Sequence, residues 1–183
     1  MKKFFITATV FLVLLASCEK DPHEHNDEEL ITTLKVDFTN TQSGAVSTLL
    51  FQDLDGDGGD APVITADNLA ANASYTVALS VLNESESPAD NITAEIQEEA
   101  VDHQFFFEKS SGLNLNFSYN DADENGKPIG LSNTATTGVA SNGTLTVTLR
   151  HQPDKGASGV SAGDITNAGG ASDIEVTFNV VVQ

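Results

Sequence analysis

Five apolar residues near the end of the chain, Ile174, Val176, Phe178, Val180 and Val182, stand at every second position, with Glu175, Thr177, Asn179 and Val181 between them. A helix would scatter such a set around its axis, whereas a strand gathers it on one face. This period of two recurs in Leu34, Val36 and Phe38, in Leu113, Leu115, Phe117 and Tyr119, and in Leu145, Val147 and Leu149. It predicts strands over 31–39, 46–53, 74–83, 104–109, 113–120, 144–151 and 173–182, with a shorter one near 131–137. Threonine, valine and phenylalanine in these runs suit pleated, half-buried surfaces. Phe105, Phe106 and Phe107 are apolar on both faces and predict a central strand.

One segment departs from this period. Over 90–103, Ile92, Ile96 and Ala100 share a helical stripe, and Asp90 or Asn91 can cap its start. Glycine-rich stretches at 56–59, 138–143 and 156–170 read as loops. The last is long for a compact domain, which predicts a mobile or functional segment. Together these signals imply a mainly β domain, an immunoglobulin-like antiparallel sandwich of about seven strands with one short helix. A small β-barrel is the alternative. A membrane-spanning barrel does not fit, because the outward-facing positions are too polar and the strands too short.

The N-terminus carries a different signal. Lys2-Lys3 precede an apolar run from Phe4 to Ala16, too short to span a bilayer, and Leu15-Ala16-Ser17-Cys18 ends it. This is the pattern of a lipoprotein signal peptide over 1–17, cleaved before a lipidated Cys18. Residues 18–29 then form an acidic tether, and 30–183 the sandwich domain. Cys18 is the only cysteine, so acylation would leave no thiol for disulfides or catalysis. Acyl chains contribute about 0.8 kcal/mol per buried methylene, enough with several chains to hold the protein durably on a membrane.

Charge narrows the partners. The chain has 27 acidic and 8 basic residues, a formal net charge of −19, and Lys2 and Lys3 would leave with the signal. Such a surface repels nucleic acid and anionic headgroups and suits cations or basic partners.

Three sets of residues carry candidate chemistry. Asp53-Leu54-Asp55-Gly56-Asp57-Gly58-Gly59-Asp60 has the front half of a calcium loop, with alternate carboxylates curled round a glycine. Asp121, Asp123 and Asn125 repeat it more weakly. The twelfth positions hold Ile64 and Ser132 instead of glutamate, and no helix pair flanks either copy, so an EF-hand is rejected. What remains is an acidic turn, either a calcium site through Asp53, Asp55, Asp57 and Asp60 or a plain turn rich in residues that tolerate left-handed backbone. In the tether, His23 and His25 flank Glu24. These are ligand types for loose capture of a transition metal, or simply part of a solvated spacer. His103 and His151 each lie near a predicted strand end. Paired in space, with Glu99 or Asp102 nearby, they would bind a metal or act as acid and base; otherwise they satisfy local hydrogen bonds.

No phosphate loop or H-E-x-x-H motif occurs. The scarcity of tyrosine and tryptophan argues against an aromatic sugar-binding platform.

Several stretches are similar to a group of small, acidic Bacteroidota-type outer-membrane lipoproteins. They are Phe51 to Gly59, Leu82 to Ser85, Glu98 to Phe105, Leu145 to His151 and Asp173 to Val176. The resemblance spans most of the mature chain and implies a setting, the cell surface, reached through a signal that begins at Lys20-Asp21. Members of the group have been labelled with a type 1 periplasmic-binding fold, which needs two α/β lobes. The strand pattern implies a sandwich instead. The expectation is a non-catalytic, membrane-anchored lipoprotein presenting an acidic sandwich for a cation, ligand or partner. An accessory lipoprotein of an outer-membrane metal or nutrient receptor is the alternative, and an enzyme using His103 and His151 the third.

Overall fold

The computed structural model describes residues 30–56, 59–85 and 87–183. The expected signal peptide over 1–17, the tether with Cys18, His23 and His25, and Asp57 of the first acidic turn lie outside the described residues.

Among the described residues, nine strands form two antiparallel sheets in a sandwich-like arrangement. The strands are β1 (Thr33–Asn40), β2 (Val46–Gln52), β3 (Val63–Ala66), β4 (Ser74–Leu82), β5 (His103–Lys109), β6 (Leu115–Tyr119), β7 (Ser132–Thr137), β8 (Ser141–His151) and β9 (Ala171–Val182). One helix, α1 (Ile92–Glu98), separates β4 from β5. The larger sheet runs β3-β2-β1-β4-β7-β6 and the smaller β5-β8-β9. The expected mainly β sandwich is therefore present, with more strands than the period of two suggested.

The alternations point where the sequence implies. Leu34, Val36 and Phe38 of β1 and Tyr75, Val77, Leu79 and Val81 of β4 meet Leu145, Val147 and Leu149 of β8 and Val176, Phe178 and Val180 of β9 in one core. At about 25 cal/mol per Å² of apolar surface removed from water, this layer is the main stabilising term. Phe38 meets Tyr75 edge to face at 5.8 Å, a preferred ring geometry.

Three departures have physical causes. The short strand β3 has no buried face, and Val63 and Ile64 are exposed. An edge strand without an inner face writes no alternation. The helix is shorter than 90–103. Asn91 occupies the cap position without a side-chain cap bond. The start is fastened from the side, where the Thr93 hydroxyl accepts from Val81 N–H at 2.7 Å and donates to Val81 C=O at 3.0 Å. Ile92 and Ile96 are buried, but Ala100 is only half-buried and Val101 is exposed. The apolar stripe thus runs out after two turns, and the backbone extends into β5. Third, β5 is an edge strand of its sheet rather than a central one. The second apolar face that suggested a central strand is covered by a loop: Phe106 packs with Val160 and Ala168 of the 152–170 segment, and Gln104 Nε2 donates to Val160 C=O at 2.8 Å.

That long loop is a packed strap over the outer face of the smaller sheet. Its anchor is Lys155, buried despite its charge. Lys155 Nζ donates to Ala100 C=O at 2.6 Å and pairs with Asp123 Oδ2 at 3.0 Å. The strap returns through Gly170, whose φ is +70°. A Cβ there would strike the His151 carbonyl oxygen, so only glycine lets the chain pass so close to the end of β8.

Candidate metal centre

Pairing of β5 with β8 sets His103 directly opposite His151. Both residues are on the parity of Phe105 and Leu149, at one end of the sandwich. Their rings stack with centroids 4.8 Å apart and planes 10° from parallel. The β8–β9 pairing brings in a third residue. Leu149 faces Ile174, but Arg150 faces Ser172, so Asp173 is the extra residue of a bulge. In a regular strand Asp173 would point away from the face of Ile174 and Val176. A bulge re-aims the side chain, and Asp173 arrives beside the two imidazoles. His103, His151 and Asp173 form the single grouping of three or more potential ligand side chains among the described residues, with ligand atoms all within 4.8 Å of one another.

His103 Nε2 lies 3.7 Å from Asp173 Oδ2, and His151 Nδ1 lies 4.0 Å from Asp173 Oδ1. On the other side of its ring, His103 Nδ1 is 3.1 Å from Glu99 C=O. A carbonyl oxygen only accepts, so Nδ1 carries the proton in this bond, and Nε2 is the nitrogen on the side of Asp173. The Glu99 carboxylate is 4.0 Å from the same Nδ1 and largely exposed. Glu99 is also the C-cap of α1, where unpaired carbonyls favour positive charge. The His103 and Asp173 side chains are 5% and 9% exposed and that of His151 22%, so His151 is the solvent-facing member. Asp102 enters only through its main chain, its carbonyl accepting from Gln152 N–H at 2.6 Å.

The acidic turns are arranged differently. In the β2–β3 connection, Asp53 Oδ1 accepts from Gly56 N–H at 3.1 Å and Asp55 Oδ2 from Asp60 N–H at 2.7 Å. Asp60 is exposed, and the described carboxylates of this turn do not converge. After β6, Asp121 accepts from Gly130 N–H and Ser132 N–H, both at 2.8 Å. Asp123 Oδ1 accepts from Asn125 N–H and Lys127 N–H, both at 2.9 Å, while Oδ2 takes Lys155. Burial opposes the charge on Asp123. The N–H of Lys127, the Lys155 ammonium and the N–H of Asn125 together outweigh it and hold the carboxyl below its ordinary range. Asp121 and Asp123 thus spend their oxygens on the fold, and Asn125 contributes its N–H to the same turn.

Of the residues that the sequence singles out, the structure brings together His103 and His151. Sequence reasoning missed Asp173, which opens the clearest alternation and by parity faces away from it; only the bulge overturns that parity. It also missed Lys155, because a lysine in a glycine-rich loop reads as solvated.

Compared with known protein families, with curated proteins and with solved structures, the chain matches none.

Proposed function

We propose that this protein is a lipid-anchored, non-catalytic lipoprotein of the outer membrane whose acidic β-sandwich binds a divalent cation. The observation that carries the reading is the convergence of His103, His151 and Asp173 from three strands. The anchor rests on Leu15-Ala16-Ser17-Cys18 and on the resemblance to small acidic lipoproteins. A net charge of −19 raises the local concentration of cations near such a site. One nitrogen of His103 is committed to a main-chain carbonyl, the arrangement that orients metal-bound histidines.

The test is thermal unfolding of the full-length chain in detergent, purified without a histidine tag, against zinc and calcium in turn. A cation that binds only the folded state raises the melting temperature as its concentration passes the dissociation constant. An unchanged melting curve with both ions at millimolar concentration would sink the proposal. The pair His23 and His25 favours one extension, an accessory role at a metal-uptake receptor. Normal growth of a His23→Ala/His25→Ala strain under zinc starvation would count against it.

A further inference from the structure

We infer that the cation is a transition-metal ion of the zinc class, held by His103 Nε2, His151 Nδ1 and a carboxylate oxygen of Asp173. The inference rests on the cation-binding reading above and narrows it to one ion class and one set of atoms. Two of the three donors are imidazole nitrogens, which suit zinc, copper, nickel and iron. Calcium takes six to eight oxygens, whereas between the two imidazoles stands one carboxylate, that of Asp173, with the Glu99 carboxylate on the far side of the His103 ring.

The orientation of His103 already suits a metal. With its Nδ1–H on Glu99 C=O, the ring turns Nε2 toward Asp173. Metal-bound histidines generally donate their other N–H to a carbonyl or carboxylate, which fixes the tautomer and orients the ring. Glu99 is thus a positioning residue, acting through its main chain. The spacing fits as well. Two ligands bonded at 2.0–2.1 Å in a tetrahedron stand about 3.3 Å apart. The separations of 3.7 Å to Asp173 Oδ2 and 4.0 Å to Oδ1, and the 4.8 Å span of the whole set, need closing by about 1.5 Å at most, with the imidazoles turning out of their stack so that both nitrogens face one ion.

Position on the fold supports the same assignment. Strands β5, β8 and β9 each supply one donor, so the donor backbones are fixed by the pairing of the smaller sheet rather than by a loop. Gly170 keeps the returning chain against the His151 carbonyl. Three protein donors leave a fourth position, and the partial exposure of His151 turns the centre toward solvent. Such a centre would accept water or a donor from another molecule there, as suits an ion that is taken up and released.

The experiment uses the full-length chain carrying His23→Ala/His25→Ala, which removes the imidazoles of the tether. Zinc and calcium are titrated calorimetrically into this protein and into its His151→Gln, Asp173→Asn and Asp53→Asn/Asp55→Asn derivatives. Copper(II) electron paramagnetic resonance counts the bound nitrogens. The expected result is one zinc per chain, no calcium binding at the same concentrations, and a loss on the order of 100-fold in zinc affinity for His151→Gln and for Asp173→Asn. The copper spectrum should show two nitrogens in the parent and one in His151→Gln. If either variant fails to fold, the parent spectrum decides, and a signal without two nitrogens overturns the assignment. Calcium binding abolished by Asp53→Asn/Asp55→Asn, with no zinc binding, overturns this inference and leaves cation binding intact. Zinc affinity unchanged in both His151→Gln and Asp173→Asn also overturns it. No binding of either ion overturns both readings.

Discussion

The turn after β6 and the end of the smaller sheet both collect charged or ligating side chains, and they use them in opposite ways. Asp121 and Asp123 lie two apart in one turn, and their oxygens meet main-chain N–H groups from Asn125 to Ser132, with Lys155 completing the set. His103, His151 and Asp173 are far apart in sequence, sit on separate strands and meet one another. Carboxylates a few residues from free N–H groups are captured by their own backbone. Residues on separate strands instead meet across the ladder, as His103, His151 and Asp173 do, while His103 also donates to the Glu99 carbonyl. Convergence across strands is therefore the better sign of a site than density of acid in a turn.

The largest effect expected is on the structural side of this contrast. Lys155→Met leaves the Asp123 carboxylate buried without its cation. Breaking such a pair costs about 3–5 kcal/mol, or a fall on the order of 10 °C in melting temperature for a domain of this size. The double variant Asp123→Asn/Lys155→Met should recover a large part, because an asparagine oxygen still accepts from Asn125 and Lys127. The pair also sets an acid limit. The carboxyl of Asp123 is held below its ordinary range in the fold, so its contribution is present above the unfolded pKa. It is lost as pH falls through the lowered folded value. Urea titrations from pH 7 down to pH 2 should show this loss, and Asp123→Asn should flatten it. A Lys155→Met protein as stable as the parent would break the contrast, since Asp123 would then be no more committed than the histidines.

Next in size is the metal-dependent gain on the other side. Zinc at 100 times its dissociation constant should add about 2.7 kcal/mol to stability, read as a rise in melting temperature that His151→Gln abolishes. Lys155→Met should keep a zinc-dependent rise, because Lys155 binds Ala100 C=O and Asp123 and none of the three donors.

Tyr119 gives a smaller and pH-coded effect. Its hydroxyl donates to Phe105 C=O at 2.7 Å and ties β6 to the edge of β5. Burial pushes the phenol up to about 12, with the Asp121 charge adding to the rise and the Gln104 side chain opposing it. A raised folded value means that the unfolded chain releases its proton first. The contribution of Tyr119 is thus fully present below about pH 10, the ordinary value for a tyrosine, and lost as pH rises toward 12. Tyr119→Phe should cost about 1 kcal/mol at pH 8 for the missing bond. Denaturant unfolding at pH 8 and pH 11 should show parent and variant converging at the higher pH.

What the sequence made legible follows from where each signal is written. The core positions were readable because burial on one sheet face imposes a period of two, as in β1, β4, β8 and β9. The short strand β3 was not, having no inner face. Phe105 to Phe107 were readable as doubly buried, but the cover over Phe106 comes from Val160 and Ala168, in a loop whose glycines suggested freedom. His103 and His151 were readable as candidates by type alone. Their meeting depends on strand register, and the arrival of Asp173 depends on a bulge, a local break in parity that a periodic pattern conceals. The acidic turn was the most visible motif for the same reason that it is weak evidence, since turns concentrate aspartate and glycine whether or not an ion binds.

The smallest effect belongs to that turn and tests the contrast from its other end. Asp53 Oδ1 and Asp55 Oδ2 each take one N–H, from Gly56 and Asp60. An asparagine at either position keeps an oxygen acceptor, so Asp53→Asn/Asp55→Asn should alter stability by no more than about 0.5 kcal/mol, as for surface substitutions in general. Replacement by alanine removes both acceptors and should cost about 1 kcal/mol, the ordinary net value of such bonds. Calcium should not change the ranking of parent, asparagine and alanine forms in a melting series. A calcium-dependent rise in the parent that vanishes in the asparagine form would instead mean that carboxylate charge is being read by an ion. Local capture by backbone N–H groups would then not exclude a site, and density of acid in a turn would regain its value as a signal.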